Sequence, residues 1–129
     1  MFEYKTLKEE ANLMIRRGSE MVKEIKEQMR GGKGTVEITH ILKQDEINGK
    51  ARLVAKISLN PGCSIGWHEH VNEEEIYYIL KGKALIDENG EKHELNPGDA
   101  SLTKGGESHS IENIGDEVLE FVAVILLYA

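Results

Sequence analysis

From Thr35 onward, apolar and polar residues alternate with a period of two, and the alternation breaks at turn-forming pairs. The pattern predicts strands over Thr35–Leu42, Ala51–Leu59, Ser64–His70, Glu75–Leu80, Lys83–Glu88, Glu91–Leu95, Ala100–Thr103, His109–Asn113 and Val118–Leu127. Asn48-Gly49 and Asn89-Gly90 can supply the positive φ angles of type I′ hairpin turns, and Pro61-Gly62 and Pro97-Gly98 mark further reversals. Short strands separated by turns predict an all-β fold, an antiparallel jelly roll or barrel over 35–129. The first 34 residues read differently. Ser19-Glu20 can cap a helix running to about Met29, with Met21, Val22, Ile25 and Met29 on one face, ended by Gly31-Gly32-Lys33-Gly34. Ala11 to Arg17 could be a short strand or the end of an earlier helix. This segment, 1–34, is expected to be an arm that packs on the barrel or on a partner subunit. The final strand is apolar on both faces, so both faces need a cover, and this predicts a homodimer.

Composition narrows the function classes. A formal net charge of -7 disfavours nucleic acid and acidic membranes as partners. The longest apolar run, Phe121 to Tyr128, is too short to span a bilayer. The opening Met-Phe-Glu-Tyr-Lys carries charges where a signal peptide needs an apolar stretch, and the single cysteine, Cys63, fits a reducing cytoplasm.

Three of the five histidines lie inside two glycine-bounded strand patterns, Gly62–Gly82 and Gly98–Asn113. His68 and His70 stand two apart, so an extended strand points both imidazoles to one face. Glu75 (or Glu74, one residue earlier) and His109 can join them if other strands face that spot. Imidazole nitrogen with one carboxylate oxygen suits manganese, iron, nickel, cobalt or zinc. On alternation, Tyr77 and Ile79 share the face of Glu75, and Ile111 and Asn113 share that of His109. Ser64 and Gly66 go with the two histidines, whereas Ile65 and Trp67 face away. Tyr77 is a candidate to serve a ligand through its hydroxyl, and Glu107 is a weaker acid–base candidate at the cavity mouth. His40 reads as a core or interface histidine, His93 as exposed, and Glu73 and Glu74 as rim charges. Cations for an anionic ligand are sought at Arg16, Arg17, Arg52 and Lys56, although Arg52 and Lys56 fit a solvated strand face.

These residues resemble the cupin superfamily. Gly62, His68, His70, Glu75 and Gly82 fill every fixed position of its first motif, Gly-x5-His-x-His-x4-Glu-x6-Gly, and the interval to Gly82 selects Glu75 over Glu74. Gly98, Gly106, His109 and Asn113 fill the second motif, with Lys104 where proline is usual. The resemblance implies a double-stranded β-helix. It also implies one divalent ion per chain, manganese or iron foremost, on His68, His70, Glu75 and His109, with coordination positions left for a ligand. It implies a small, anionic ligand and a decarboxylase- or dioxygenase-like metalloenzyme. A non-catalytic ligand-binding or sensor protein, a sugar isomerase or epimerase, and a protein that keeps the metal as a stabiliser are the alternatives.

Overall fold

The computed structural model describes residues 14–129. Among the described residues, ten strands form two antiparallel sheets: β1 (Val22–Glu27), β2 (Thr35–Leu42), β3 (Ala51–Leu59), β4 (Ser64–Glu69), β5 (Glu73–Lys81), β6 (Ala84–Glu88), β7 (Glu91–Leu95), β8 (Ala100–Thr103), β9 (Ser108–Asn113) and β10 (Leu119–Leu127). One sheet has the order β1-β2-β3-β10-β5-β8 and the other β4-β9-β6-β7. The nine strands expected from the alternation are present, with bounds that differ by at most two residues.

The core lies between the sheets and is built from alternate residues. Phe121, Ala123 and Ile125 of β10, Ile57 and Leu59 of β3, Tyr77 and Ile79 of β5, and Ile65, Ile86 and Ile111 of the smaller sheet are buried. β10 is covered on its inner face by this core, while Val122, Val124 and Leu126 on its outer face are only half-buried. Motif glycine and asparagine have structural work at one end. Gly82 turns with φ +90, and a Cβ there would stand 2.9 Å from Leu119 Cα, so only glycine lets the two chain segments touch. Asn113 donates from Nδ2 to the carbonyls of Leu59 and Glu117 and accepts from the Gly115 N–H through Oδ1. This buried side chain therefore ties β3, β9 and the chain leading into β10 together.

The N-terminal helix expected over Ser19–Met29 does not form. Gly18–Glu20 make one 3-10 turn, and Val22–Glu27 are strand β1, paired along its length with β2 from Val22↔His40 to Glu27↔Thr35. The reason is tertiary. The Gln28–Gly34 loop, closed by the Gln28 N–H on the Gly34 carbonyl at 2.8 Å, reverses the chain and delivers residues 22–27 to the open edge of β2, whose backbone groups outweigh a weak helix propensity. Of the apolar stripe proposed for that helix, Met29 packs against the core, while Val22 and Ile25 stay 45% and 56% exposed. The described part of the arm thus extends the larger sheet beyond β2 instead of lying over β10. Of the segment read as strand or helix end, residues 11–13 lie outside the described residues, and Met14–Arg17 are irregular chain, with Arg16 paired to Glu46.

A second close approach locks this hairpin to the smaller sheet. A Cβ on Gly66 would lie 2.1 Å from the Arg30 carbonyl oxygen, and one on Gly32 would lie 2.3 Å from that of Ser64. Paired glycines therefore let the turn after β1 rest on β4, the strand that carries His68.

Candidate metal centre

His68 and His109 are cross-strand partners between β4 and β9, and Glu75 lies on β5 of the facing sheet. The β4–β9 register slips between Ile65 and His68. That bulge corrects the expectation from simple alternation: Ile65 is buried and faces inward like His68, while Trp67 is 51% exposed. One extra residue shifts the phase of the strand by half a period. His70 lies just beyond β4, and both its backbone groups are held by the loop before β9. Its N–H donates to the Glu107 carbonyl, and its carbonyl accepts from the Gly106 N–H. Lys104, at the usual proline position, donates its N–H to the Glu107 carboxylate at 2.8 Å, a bond proline could not make. Glu107 is thus occupied in closing this loop and is not among the cavity-lining residues.

Four side chains converge. His70 Nε2 is 3.0 Å from His109 Nε2 and 3.0 Å from Glu75 Oε1; His109 Nε2 is 3.1 Å from His68 Nε2 and 3.1 Å from Glu75 Oε1. No two of the four donor atoms are more than 4.8 Å apart. The outer nitrogens settle which ring atoms carry hydrogen. His68 Nδ1 faces the Gly66 carbonyl at 2.7 Å, and His70 Nδ1 faces the Glu73 carboxylate at 2.6 Å; both oxygens can only accept. Thr103 gives its one hydroxyl proton to Glu88 and so accepts from His109 Nδ1 at 2.7 Å. In the neutral rings all three Nε2 atoms therefore present lone pairs to one another and to a carboxylate oxygen. Four acceptors with no donor between them repel unless a cation sits among them. The donor set therefore fits a divalent metal.

The electrostatics agree. Burial works against charge on Glu75, but the contacts with the His109 and His70 imidazoles overcome it and hold the carboxyl at a pKa of about 2, ionised and able to ligate. Burial likewise opposes a charge on His70, yet Glu75 and Glu73 outweigh it and raise its pKa above the ordinary 6.5. Burial takes His68 the other way, down to about 4.

The centre forms part of the wall of a cavity of about 590 Å3. Tyr77 lines it, fully buried, stacked on the His109 ring at 4.9 Å and edge-on to Phe121. Burial, with the Glu75 carboxylate beside it, pushes the Tyr77 hydroxyl well above its ordinary pKa of 10.0. His40 also lines the cavity, with Nε2 2.9 Å from Glu24, whereas His93 is exposed near Glu91. Of the cations sought in the sequence, Arg52 alone lines the cavity, and it is committed to Glu73 through two bonds of 2.9 and 3.0 Å. Lys56 pairs with Glu120, and Arg16 with Glu46. The sequence reading missed Glu73 and Glu88 as partners of the histidine rings, and Lys26 and Arg30 as cavity residues. Glu73 stands three residues after His70, a spacing at which a tight turn brings side chains together, and that signal was available.

Comparison with known proteins agrees with this architecture. The Cupin domain family matches residues 55–125. An oxalate-binding protein of Thermotoga maritima is 49% identical over 114 residues, 88% of this chain and 94% of that protein. An uncharacterised protein of Methanocaldococcus jannaschii is 33% identical over 66% of this chain and 68% of its own length. Among solved structures, a predicted oxalate decarboxylase of Thermotoga maritima superposes with a TM-score of 0.85 at 49% identity, over 88% of this chain and 99% of that one. The polyketide cyclase RemF of Streptomyces resistomycificus shares the fold, with a TM-score of 0.72 at 20% identity over 91% of this chain and 81% of its own. The jelly roll, both histidine motifs and the family match lead to one conclusion: this chain belongs to the cupin superfamily.

Proposed function

We propose that this cupin is a metalloenzyme that takes a small carboxylate at a divalent ion, manganese or iron, held by His68, His70, Glu75 and His109. The observation that carries the reading is the donor set itself: three imidazole lone pairs and a carboxylate oxygen within 4.8 Å of one another, each ring fixed from behind by an acceptor. Such an ion, when bound, supplies Lewis-acid polarisation of a ligand oxygen. The chain supplies the rest. Buried Ile57, Ile65 and Ile125 give the cavity an apolar floor. Tyr77 keeps its proton across the working pH range, so its hydroxyl stays a donor, held toward the Glu75 carboxylate, and does not act as a base. The relative that binds oxalate supports a carboxylate as ligand.

A sugar isomerase would need a base over the metal. His40 with Glu24 is the available pair, but it is linked to the site through Tyr77↔Ala123, Ala123↔Ala55 and Ala55↔His40. Three strand spacings of about 4.8 Å put the His40 backbone roughly 14 Å from that of Tyr77 along the sheet. A non-catalytic carboxylate-binding protein remains the second reading, supported by the oxalate-binding relative. Titrating cobalt-loaded protein with oxalate and with sugar phosphates tests the ligand class. Oxalate should perturb the metal spectrum and sugar phosphates should not; tighter binding of a sugar phosphate would replace this reading with the isomerase. Product formation that is lost in Glu75→Ala would separate an enzyme from a binding protein.

The same reading includes a homodimer. The outer face of the larger sheet carries Tyr78, Leu80 and Leu102 at 45%, 44% and 45% exposure beside Val122 and Val124, an apolar surface suited to a second copy. A reducing cytoplasm accords with the single, half-buried Cys63. Among the described residues no helix is long and apolar enough to cross a membrane.

A further inference from the structure

The charged residues around the cavity are nearly all satisfied by one another. Glu24 accepts from His40 and lies 3.5 Å from Lys26; Glu27 accepts from the Thr35 hydroxyl; Arg52 is held by Glu73; Glu75 belongs to the centre. Arg30 is different. It lines the same cavity, yet no carboxylate lies within ion-pair distance of it among the described residues. The residue is exposed at the cavity's rim, and its backbone is held in place. The Arg30 carbonyl rests against Gly66, and Gly66 accepts from His68 Nδ1, so Arg30 is anchored directly on the support of one ring of the centre. The backbone there is left-handed, with φ 56 and ψ 29 at Arg30 and φ 49 at Gln28. Non-glycine residues adopt that conformation at a cost, and such strain gathers at binding sites. Finally, 590 Å3 falls within the range of about 300–1,000 Å3 that encloses drug-sized ligands, far more room than a two-carbon acid fills.

We propose that Arg30 is the anion-binding residue of this cavity. The ligand is a dicarboxylate, with one carboxylate at the His68/His70/Glu75/His109 centre and the other on the Arg30 guanidinium. A planar guanidinium matches a carboxylate through two parallel N–H···O bonds, so Arg30 selects for a second carboxylate and against monocarboxylates. The inference rests on the metal-carboxylate reading above, and its test separates the two.

Cobalt-loaded full chain, as wild type, Arg30→Gly and Arg30→Lys, is titrated with oxalate, malonate, succinate and acetate, and the metal content of each variant is measured. Glycine suits φ 56, so Arg30→Gly should melt no lower than wild type and carry the same metal. It should bind the best dicarboxylate about ten- to hundredfold more weakly and acetate within about twofold. Arg30→Lys, which keeps the charge but loses the fork, should fall between. Dicarboxylate affinity within about twofold of wild type in Arg30→Gly overturns the proposal, as does an equal loss for acetate. Wild-type protein that carries metal and binds no carboxylate at all would instead sink the underlying reading.

Discussion

Replacing Glu73 by glutamine should weaken metal binding without touching any of the four inward-facing donors. Glu73 accepts from His70 Nδ1 at 2.6 Å and is itself held by both arms of Arg52, with His70 only 2% exposed. Two routes give the size of the effect. A hydrogen bond to a charged, buried acceptor is worth about 1.5–3 kcal/mol, or about 13- to 150-fold in affinity. Loss of a partner behind a ligating histidine generally costs about 10- to 100-fold. The two ranges overlap, and the expected loss is about 10- to 100-fold. Glutamine keeps the side-chain shape and an oxygen acceptor but removes the charge that makes His70 a more basic ligand. The assay is competition for cobalt or manganese against a chelator of known affinity. Glu74→Gln is the control, since Glu74 is the adjacent carboxylate and its oxygen only accepts from the Tyr128 hydroxyl. A Glu73→Gln affinity within about twofold of wild type, or an equal loss in Glu74→Gln, would refute the reasoning.

Other expectations follow from the same geometry. His68 is held at about 4 in the folded chain against 6.5 unfolded, so the unfolded state binds the proton first and metal-free protein loses stability through this residue as pH falls from 6.5 to 4. Thermal melts of chelator-treated protein across that window should show a shallower pH slope in His68→Gln; an unchanged slope would contradict the assignment. Gly66→Ala places a Cβ 2.1 Å from the Arg30 carbonyl oxygen and should cost about 1–3 kcal/mol in chemical denaturation. Hydrogen exchange should localise that loss to β1 and the following turn, and uniform loosening would argue against the paired-glycine contact. Light scattering at micromolar concentration should return twice the 14.5 kDa chain mass, and Tyr78→Lys should halve it. A monomeric wild type would refute the dimer.

Most of the strand layout was legible because one face of each strand is buried, which forces the period of two. The four converging side chains were legible from motif spacing: His68, Glu75 and His109 lie on strands, His70 follows just beyond β4, and the interval to Gly82 picks Glu75 over Glu74. Three features were not. Strand β1 carries a helix-compatible pattern and owes its conformation to the free edge of β2, a partner that no local window contains. The bulge between Ile65 and His68 is fixed by pairing with β9 and reverses the facing of Ile65. Glu73 read as a rim charge and Glu88 carried no signal, because one faces a ring nitrogen and the other the Thr103 hydroxyl behind a ring, relations across space and not along the chain. Arg30 fell between the expected helix end at Met29 and the Gly31–Gly34 terminator, where no pattern marked it.

The central claim is that His68, His70, Glu75 and His109 hold one divalent ion, and elemental analysis tests it most directly. Purified wild-type protein should carry about one manganese, iron or similar ion per chain. The His68→Ala/His70→Ala double variant, shown by circular dichroism to keep its strands, should carry almost none. Equal metal content in the two proteins would contradict the account.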